Sequence, residues 1–499
     1  MSYYTGILLL QDSKCYGLTK SSNPSSLYIF RSFNGEARGL VPTKISQHTK
    51  RNQFITVKKV NNIENDDRIH YVVHIHHGSV DDPRAFLKAI CFQHNISVKN
   101  TYYKKMPINP IIFPNKNNNT FIYTIDPAGC TDIDDAISIN FNNDNNINSI
   151  GIHITYIGHI MIKYLDKMDK SCTIYPGGLN NIHMLPKKYA TNDFSLLQKE
   201  WRNVLSLYLY PNSETEWKFE QIKVKKNLSY KQGDRIFHKY LNNINTILDT
   251  FYYNKRFDTY PNNTKTIIEK SAIIYNSLGG TYLHQNKYNP IIRNHKYVNN
   301  TIFGETLYNY SSNNSYHQSL QLQYYSHMTS PIRRITDIYN QYLMYLSIEK
   351  KEEHVNYKLD IEHLNKSMIY AKRIMGYIER YQYFNTEMPE YIDAEIIIKE
   401  QNTICIKFSI YNIDKYLYIP MLPYYMETFW HINDKCQYQH NITKKIYDIN
   451  IGQNIRFKVI KDMNPYPRVM FVPDFLFPKK NDENSIIKVI EVIENDEFP

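Results

Sequence analysis

Four aspartates, Asp126, Asp132, Asp134 and Asp135, stand in one short stretch between Thr124 and Ile139 whose other residues are apolar, small or hydroxylic. Like charges this close repel, and carboxylates buried without partners are costly, so a fold that keeps them together needs something positive among them. The flanking runs Phe121 to Ile125 and Ala136 to Ile139 are apolar and rich in β-branched residues, which predicts two buried strands rather than a solvated acidic turn. Hard oxygen ligands suit magnesium, with manganese as a substitute, and paired ions about 4 Å apart serve in-line attack on a phosphodiester. A calcium loop of the EF-hand type also spaces its acids by two. Here, however, the position that needs glycine is Ile137, and no helix-loop-helix pattern surrounds it.

A second block begins at Tyr325, runs through Thr329, Ser330, Pro331, Arg333 and Arg334 to Asp337, and leads into the apolar-periodic residues 338–348. Pro331 at a first helical position, with Ser330 as its cap, predicts a helix that starts there and carries both arginines in its first turn. The helix dipole disfavours cations at that end, so the pair points to an anionic partner. Asp337 lies four residues after Arg333 and three after Arg334, which leaves one of the two open to a plain salt bridge.

Together the two blocks resemble the ribonuclease II family of 3′-to-5′ exoribonucleases, which includes bacterial ribonucleases II and R and the eukaryotic exosome nuclease. Shorter matches fall between them in the family's order, at Met184 to Pro186, Phe194 to Leu196, Leu228 to Tyr230 and Pro290 to His295. The similarity spans about residues 100 to 385. It implies an α+β chain with a central RNB-type catalytic domain at residues 96–388. Flanking it are a cold-shock or OB-like β region at 1–95, an OB-like barrel at 389–480 and a mobile tail at 481–499. The resemblance further implies metal at Asp126, Asp132, Asp134 and Asp135, with Arg333 and Arg334 at the phosphate under attack. The substrate path would pass Ile174, Tyr175, Glu269, Tyr325, Thr329 and Ser330. Single-stranded RNA would lose nucleoside 5′-monophosphates one at a time from its 3′ end.

Three departures from the family pattern bear on that path. The family's His-Ile-Ala-Asp-Val strand reads His153, Ile154, Thr155, Tyr156, Ile157, so an acid has become Tyr156. Its Tyr-Leu-Pro reads Ile174, Tyr175, Pro176, which moves the ring by one position and, on a strand, to the opposite face. Its Ala-Glu-Arg stretch reads Ala371, Lys372, Arg373, with Glu379 two helical turns further on as a candidate replacement. These changes touch terminal-nucleotide handling more than metal binding. They keep open a second function class, an RNA-binding protein on a retired nuclease scaffold that binds without turnover. A hydrolase of another phosphate ester is disfavoured because no Gly-rich phosphate loop is present.

The formal net charge of +11 favours an anionic partner. The charge lies in small clusters at Lys58-Lys59, Lys104-Lys105, Lys187-Lys188, Lys223 to Lys226 and Lys444-Lys445, interleaved with aromatic residues as a single-stranded nucleic-acid path would be. The 45 tyrosines are not counted as RNA contacts, because Tyr, Asn, Ile and Lys share AT-rich codons and rise together in a biased genome. No apolar run approaches a membrane span and the first residues lack a signal-peptide pattern, so an intracellular chain without membrane contact is expected. The cysteines are scattered, without the paired spacing of a zinc or disulfide framework, and predict a reducing compartment.

Strand patterns at Gly6 to Leu10, Leu27 to Phe30, Phe54 to Val60 and Ile69 to His76 predict one small N-terminal barrel, with a second incomplete one beside it. His70, His74, His76 and His77 read as decoration of one strand, since no cysteine or carboxylate completes a ligand set. Helical periodicity marks Ile236 to Phe251 and Thr266 to Leu283, the latter carrying Glu269 and Asn276. Strands return at Ile392 to Ile398, Thr403 to Ile410 and Ile455 to Val459, and the Asn-rich pieces 115–119 and 142–148 read as loops.

Overall fold

The computed structural model describes residues 2–11, 15–20, 23–44, 51–60, 68–98, 112–115, 121–297, 304–311, 315–351, 357–399, 403–410, 413–422, 426–427, 429–462 and 467–477. The expected tail at 481–499, the lysines at 104–105 and the asparagines at 117–119 lie outside them.

At the N-terminus, β1 (Tyr3–Leu8), β2 (Ser26–Ser32), β3 (Arg38–Thr43), β4 (Gln53–Lys59) and β5 (Tyr71–Ser79) form one antiparallel sheet in the order β3-β2-β1-β4-β5. A parallel bridge between Leu40 and Ile69 joins its two edges, so the sheet curls into an OB-like barrel filled by Leu8, Phe30, Val41, Ile55 and Val57. The expected strands are present, with β3 added. In place of a second partial barrel the described residues continue into a helix, α1 (Pro83–Gln93), so the all-β reading of residues 1–95 is corrected here. Its start carried a signal: Pro83 occupies the first turn, and the Asp82 side chain accepts the Arg84 amide at 2.9 Å.

The central sheet runs β10-β9-β8-β7-β6-β11, built from β6 (Ile122–Asp126), β7 (Asp135–Phe141), β8 (Ile147–Thr155), β9 (Trp201–Leu209), β10 (Thr215–Lys223) and β11 (Lys226–Ser229). All its neighbours pair antiparallel except β11, which lies parallel to β6. The Asn-rich turn before β8 closes on itself, the Asn142 side chain accepting the amides of Asp144 and Asn146. After the short α2 (Gly158–Met161), the chain returns through β9 to β11 and enters α3 (Tyr230–Phe237). There Ser229 and Gln232 form a reciprocal capping box. Of the two periodic runs predicted there, Ile236 to Phe251 divides between the end of α3 and α4 (Leu241–Phe251), and Thr266 to Leu283 lies within α5 (Thr264–Gln285).

Four strands follow, β12 (Ile291–Tyr297), β13 (Gly304–Tyr310), β14 (Tyr316–His317) and β15 (Leu322–Gln323), and then two long helices, α6 (Ile335–Ile348) and α7 (Ile361–Phe384). Helix α7 packs on the N-terminal unit, with Tyr381 stacked on Phe86 of α1 at 4.7 Å and its hydroxyl donating to the Val80 carbonyl. The C-terminal unit pairs β16 (Tyr391–Lys399), β17 (Thr403–Ile410), β18 (Ile413–Pro420), β22 (Asn454–Asp462) and β23 (Arg468–Pro473) in the order β18-β17-β16-β22-β23. A small sheet of β19 (Trp430–Ile432), β20 (Tyr438–His440) and β21 (Ile446–Tyr447) shares its core. No described helix is long and apolar enough to cross a membrane.

One close approach matters to the site. Helix α5 lies so near residues 324–328 that a Cβ on Gly280 would fall 1.8 Å from the Tyr324 carbonyl oxygen. Gly280→Ala is therefore expected to destabilise the chain by about 1–3 kcal/mol through overpacking. A urea midpoint equal to that of the wild type would count against the contact.

Candidate active site

Strands β6 and β7 are antiparallel neighbours, so the end of one and the start of the other lie at the same end of the sheet. Asp126 closes β6 and Asp135 opens β7, and the loop between them carries Asp132 and Asp134. That loop is fastened through its backbone. The Ile133 amide donates to Ser195 Oγ at 3.1 Å and the Ser195 hydroxyl to the Thr131 carbonyl at 2.9 Å. The Leu196 amide donates to the Ile133 carbonyl at 3.0 Å, and that of Thr155 to the Asp134 carbonyl at 2.9 Å. All four aspartates line one cavity of about 650 Å³.

The arginine block meets the acids across this cavity. The Ile332 amide donates to Asp134 Oδ1 at 2.9 Å, and Arg333 Nε lies 3.5 Å from Asp134 Oδ2. Arg333 keeps 41% of its side chain exposed and also donates to Ser330 Oγ at 2.9 Å. Arg334 differs. Its Nε and Nη2 grip the two oxygens of the fully buried Asp337 at 2.9 and 2.8 Å, so its charge is already matched. The sequence left open which arginine carries the salt bridge, and it is Arg334.

The helix start is corrected as well. Helix α6 begins at Ile335, not at Pro331, and residues 331–333 form a turn in which the amides of Arg333 and Arg334 both donate to the Ser330 carbonyl. Asp337 causes the shift by reaching back from the first turn to accept the Ser330 amide at 2.7 Å. Both arginines thus precede the regular helix.

Residues 171–175 are strapped to this turn. The Thr173 amide donates to the Arg333 carbonyl at 3.0 Å, and that of Ile335 to the Ser171 carbonyl at 2.9 Å. Ile174 exchanges two backbone hydrogen bonds with Ile182, both 3.0 Å, and its side chain is 1% exposed in the core between α1 and α7. It does not line the cavity. Tyr175, pointing the other way as alternation requires, does line it, and its hydroxyl donates to Asp132 Oδ2. The wall position expected for Ile174 therefore belongs to Tyr175, and Ile174 is a core residue.

The opposite wall is one face of α5, where Lys265, Glu269, Ala272 and Asn276 follow one another at helical spacing. Asn276 organises the neighbouring segment, donating to the Tyr325 hydroxyl at 3.3 Å and Thr329 Oγ1 at 3.2 Å while accepting the Met328 amide at 2.7 Å. Tyr325, Thr329 and Ser330 thereby line the cavity as largely buried groups, and Glu269 receives Arg256 Nη2 at 2.6 Å.

Burial sets the electrostatics of the acids. It pushes Asp126 up to about 7, with the Asp135 charge adding to it, and Asp135 up to about 6 against the pull of Arg333. It also raises Asp134 well above the carboxylate range, opposed by Arg333 and the Ile332 amide. The Cys130 thiol is held at about 12 by burial and the adjacent acids, far from a thiolate ligand. Among the described residues no group of three or more His, Cys, Asp or Glu side chains is gathered closely enough to hold an ion. Asp132 is turned to Tyr175, and Asp134 to Ile332 and Arg333. Asp126 and Asp135 remain, and Asp126 Oδ2 is buried without a hydrogen-bond donor. This donor chemistry, carboxylate oxygens only, suits a hard divalent cation.

The family model of the RNB domain matches residues 115–251, the segment that contains the acidic loop. Residues 115–251 thus carry an RNB domain. The fold of the chain is also that of solved structures from other organisms. Apo RNase R of Mycoplasma genitalium superposes with a TM-score of 0.70 at 16% identity, covering 94% of this chain and 89% of that one. Yeast Ssd1, described as a pseudonuclease, gives 0.60 at 12% identity over 94% and 82%. An active-site mutant of the Dss1 exoribonuclease from Candida glabrata gives 0.52 at 14% identity over 74% and 56%. No curated protein matches the sequence significantly. The chain is thus α+β, an RNB domain flanked by OB-like units.

Two of the departures from the RNB pattern fall away from the cavity. Tyr156, 2% exposed, packs against Phe219 at 4.8 Å and Phe113 at 5.7 Å, so a core ring stands where the family has an acid. Lys372 is exposed, and Glu379 accepts the Tyr383 hydroxyl at 3.0 Å. Neither lines the cavity, so Glu379 does not restore the missing glutamate. Conversely, Arg256, Arg293, His317 and His327 line it without having been singled out. Arg293 lay inside the matched stretch Pro290 to His295, while Arg256 carried no local signal.

Proposed function

We propose that this RNB protein is a divalent-metal-dependent exoribonuclease that shortens single-stranded RNA from its 3′ end and releases nucleoside 5′-monophosphates. The observation that carries the reading is the contact of Asp134 with Ile332 and Arg333, which sets a carboxylate cluster and a half-exposed guanidinium on one cavity. Magnesium, or manganese in its place, supplies an activated water and charge neutralisation when bound. Asp126 and Asp135 would hold it. Asp134 holds Arg333 against the cavity, where its donors meet the charge that develops on the phosphate. Asp132 orients the Tyr175 ring, which flanks the end of the strand. RNA as ligand is carried over from M. genitalium RNase R, solved with ribose-methylated single-stranded RNA and with double-stranded RNA.

A second reading, RNA binding without turnover, is favoured by the pseudonuclease Ssd1 sharing this fold and by Lys372 standing where the family has glutamate. A time course on 5′-labelled single-stranded RNA, in magnesium or in chelator, separates the two. A ladder that shortens only with metal supports the enzyme. A retarded but intact RNA in both conditions supports the binding protein.

The acids also predict a pH signature. Asp126 and Asp135 have folded pKa values near 7 and 6, above the ordinary 3.8, so the folded chain binds more protons than the unfolded one across that window. In chelator, stability should fall as pH rises from about 4 through about 7, with the raised Asp134 adding to the same trend. Magnesium competes with those protons, so the rise in Tm that it causes should be small at pH 5 and grow towards pH 8. Equal metal shifts at both pH values, read by thermal melting, would remove Asp126 and Asp135 as the ion-binding pair.

A further inference from the structure

Four guanidinium groups line the cavity, those of Arg256, Arg293, Arg333 and Arg334. Three face a carboxylate: Arg256 meets Glu269 at 2.6 Å, Arg333 meets Asp134 at 3.5 Å and Arg334 meets Asp337 at 2.8 Å. Among the described residues Arg293 meets none within ion-pair distance. Its side-chain partner is His327, with Nη1 3.4 Å from Nε2.

The chemistry of that contact is informative. Arginine only donates, so the lone pair of His327 lies on Nε2 and its proton on Nδ1, from which it donates to the Tyr308 hydroxyl oxygen at 2.7 Å. Burial and the surrounding arginines keep the imidazole neutral, well below its ordinary pKa. His327 therefore aims the guanidinium without cancelling its charge. The backbone is fixed too, since Arg293 lies in β12 and its amide donates to the Tyr325 carbonyl at 2.8 Å. A half-buried cation held in this way, facing a cavity and lacking a counter-charge, is complementary to an anionic ligand group.

We propose that Arg293 binds an RNA phosphodiester in this cavity, one set back from the phosphate under attack, and that His327 is the positioning residue that aims it. The inference rests on the proposed function for the identity of the ligand as RNA. Its place follows from the contacts: Arg333 stands 3.5 Å from Asp134 in the acidic loop, whereas Arg293 is held on β12 beside His327 and the Tyr325 carbonyl.

The test is binding of a 5′-fluorescein-labelled oligoadenylate to the full chain in chelator, followed by anisotropy over a range of salt concentrations. Arg293→Gln is expected to raise Kd about tenfold or more and to reduce the salt slope by about 0.7, as loss of one phosphate contact on a single strand does. Arg293→Lys should retain the slope. His327→Gln, which keeps an acceptor, should bind nearly as the wild type does. His327→Leu should lose affinity, with no further loss when combined with Arg293→Gln. Melting curves exclude folding defects, and if His327→Leu does not fold, the two Arg293 variants decide. A folded Arg293→Gln protein with unchanged Kd and slope overturns the proposal. Because no turnover is needed, a wild type that binds but does not hydrolyse removes the enzymatic reading and leaves this one standing. Hydrolysis with unaltered binding by Arg293→Gln does the reverse, and a wild type that does not bind overturns both.

Discussion

Asp134→Asn should lower the rate of RNA shortening by at least about a thousandfold, because Asp134 holds Arg333 against the cavity and belongs to the carboxylate cluster that would bind the metal, and neutralisation of phosphate charge by those cations carries several kcal/mol of the barrier at about 1.4 kcal/mol per factor of ten. The substitution is chosen for what it keeps. Asparagine retains an oxygen for the Ile332 amide, now 2.9 Å from Asp134 Oδ1, so the joint between the acidic loop and the arginine turn survives. It removes the negative charge that faces Arg333 at 3.5 Å and one carboxylate from the cluster. It also relieves a buried carboxylate whose charged form burial disfavours, so the variant should melt no lower than the wild type in chelator. RNA affinity should change little, since the lysine clusters lie elsewhere on the chain. Rates are read from single-turnover shortening of 5′-labelled RNA and affinity from anisotropy. Turnover near that of the wild type would remove the carboxylate cluster from the chemistry.

What the sequence disclosed follows the range of the interactions involved. The acidic loop was legible because its strands are defined by local alternation and its acids by their own mutual repulsion, and the same is true of the first C-terminal strands. Helix α1 was equally local, signalled by Asp82 and Pro83, yet strand patterns on either side obscured it. The start of α6 was not legible, because Asp337 reaches back seven residues to the Ser330 amide and overrides the local preference of Pro331. Parity correctly put Ile174 and Tyr175 on opposite sides. Which of them faces the acids is decided by two hydrogen bonds far away in sequence, the Thr173 amide donating to the Arg333 carbonyl and the Ser171 carbonyl accepting the Ile335 amide. Arg293 was hidden for a related reason, since its meaning lies in meeting a neutral histidine and no carboxylate among the described residues, which is visible only in the fold.

The two adjacent arginines should fail in different ways. Arg333→Ala is expected to slow the chemical step by about a hundredfold or more, as removal of a donor aimed at developing charge does, with a smaller change in affinity. Its stability should be close to that of the wild type, because its side chain is 41% exposed and its ion pair with Asp134 is long. Arg334→Ala leaves Asp337, 0% exposed, without its bidentate partner, and an uncompensated buried carboxylate costs about 3–5 kcal/mol. That variant should unfold at markedly lower denaturant, and any activity lost should return in proportion to the folded fraction. The measurement is a paired one, urea midpoint and single-turnover rate on each protein. If Arg333→Ala lost binding and rate equally, Arg333 would be an ordinary phosphate contact. If Arg334→Ala were stable yet inactive, the buried pair with Asp337 would not be its main role, and both arginines would belong to the reaction.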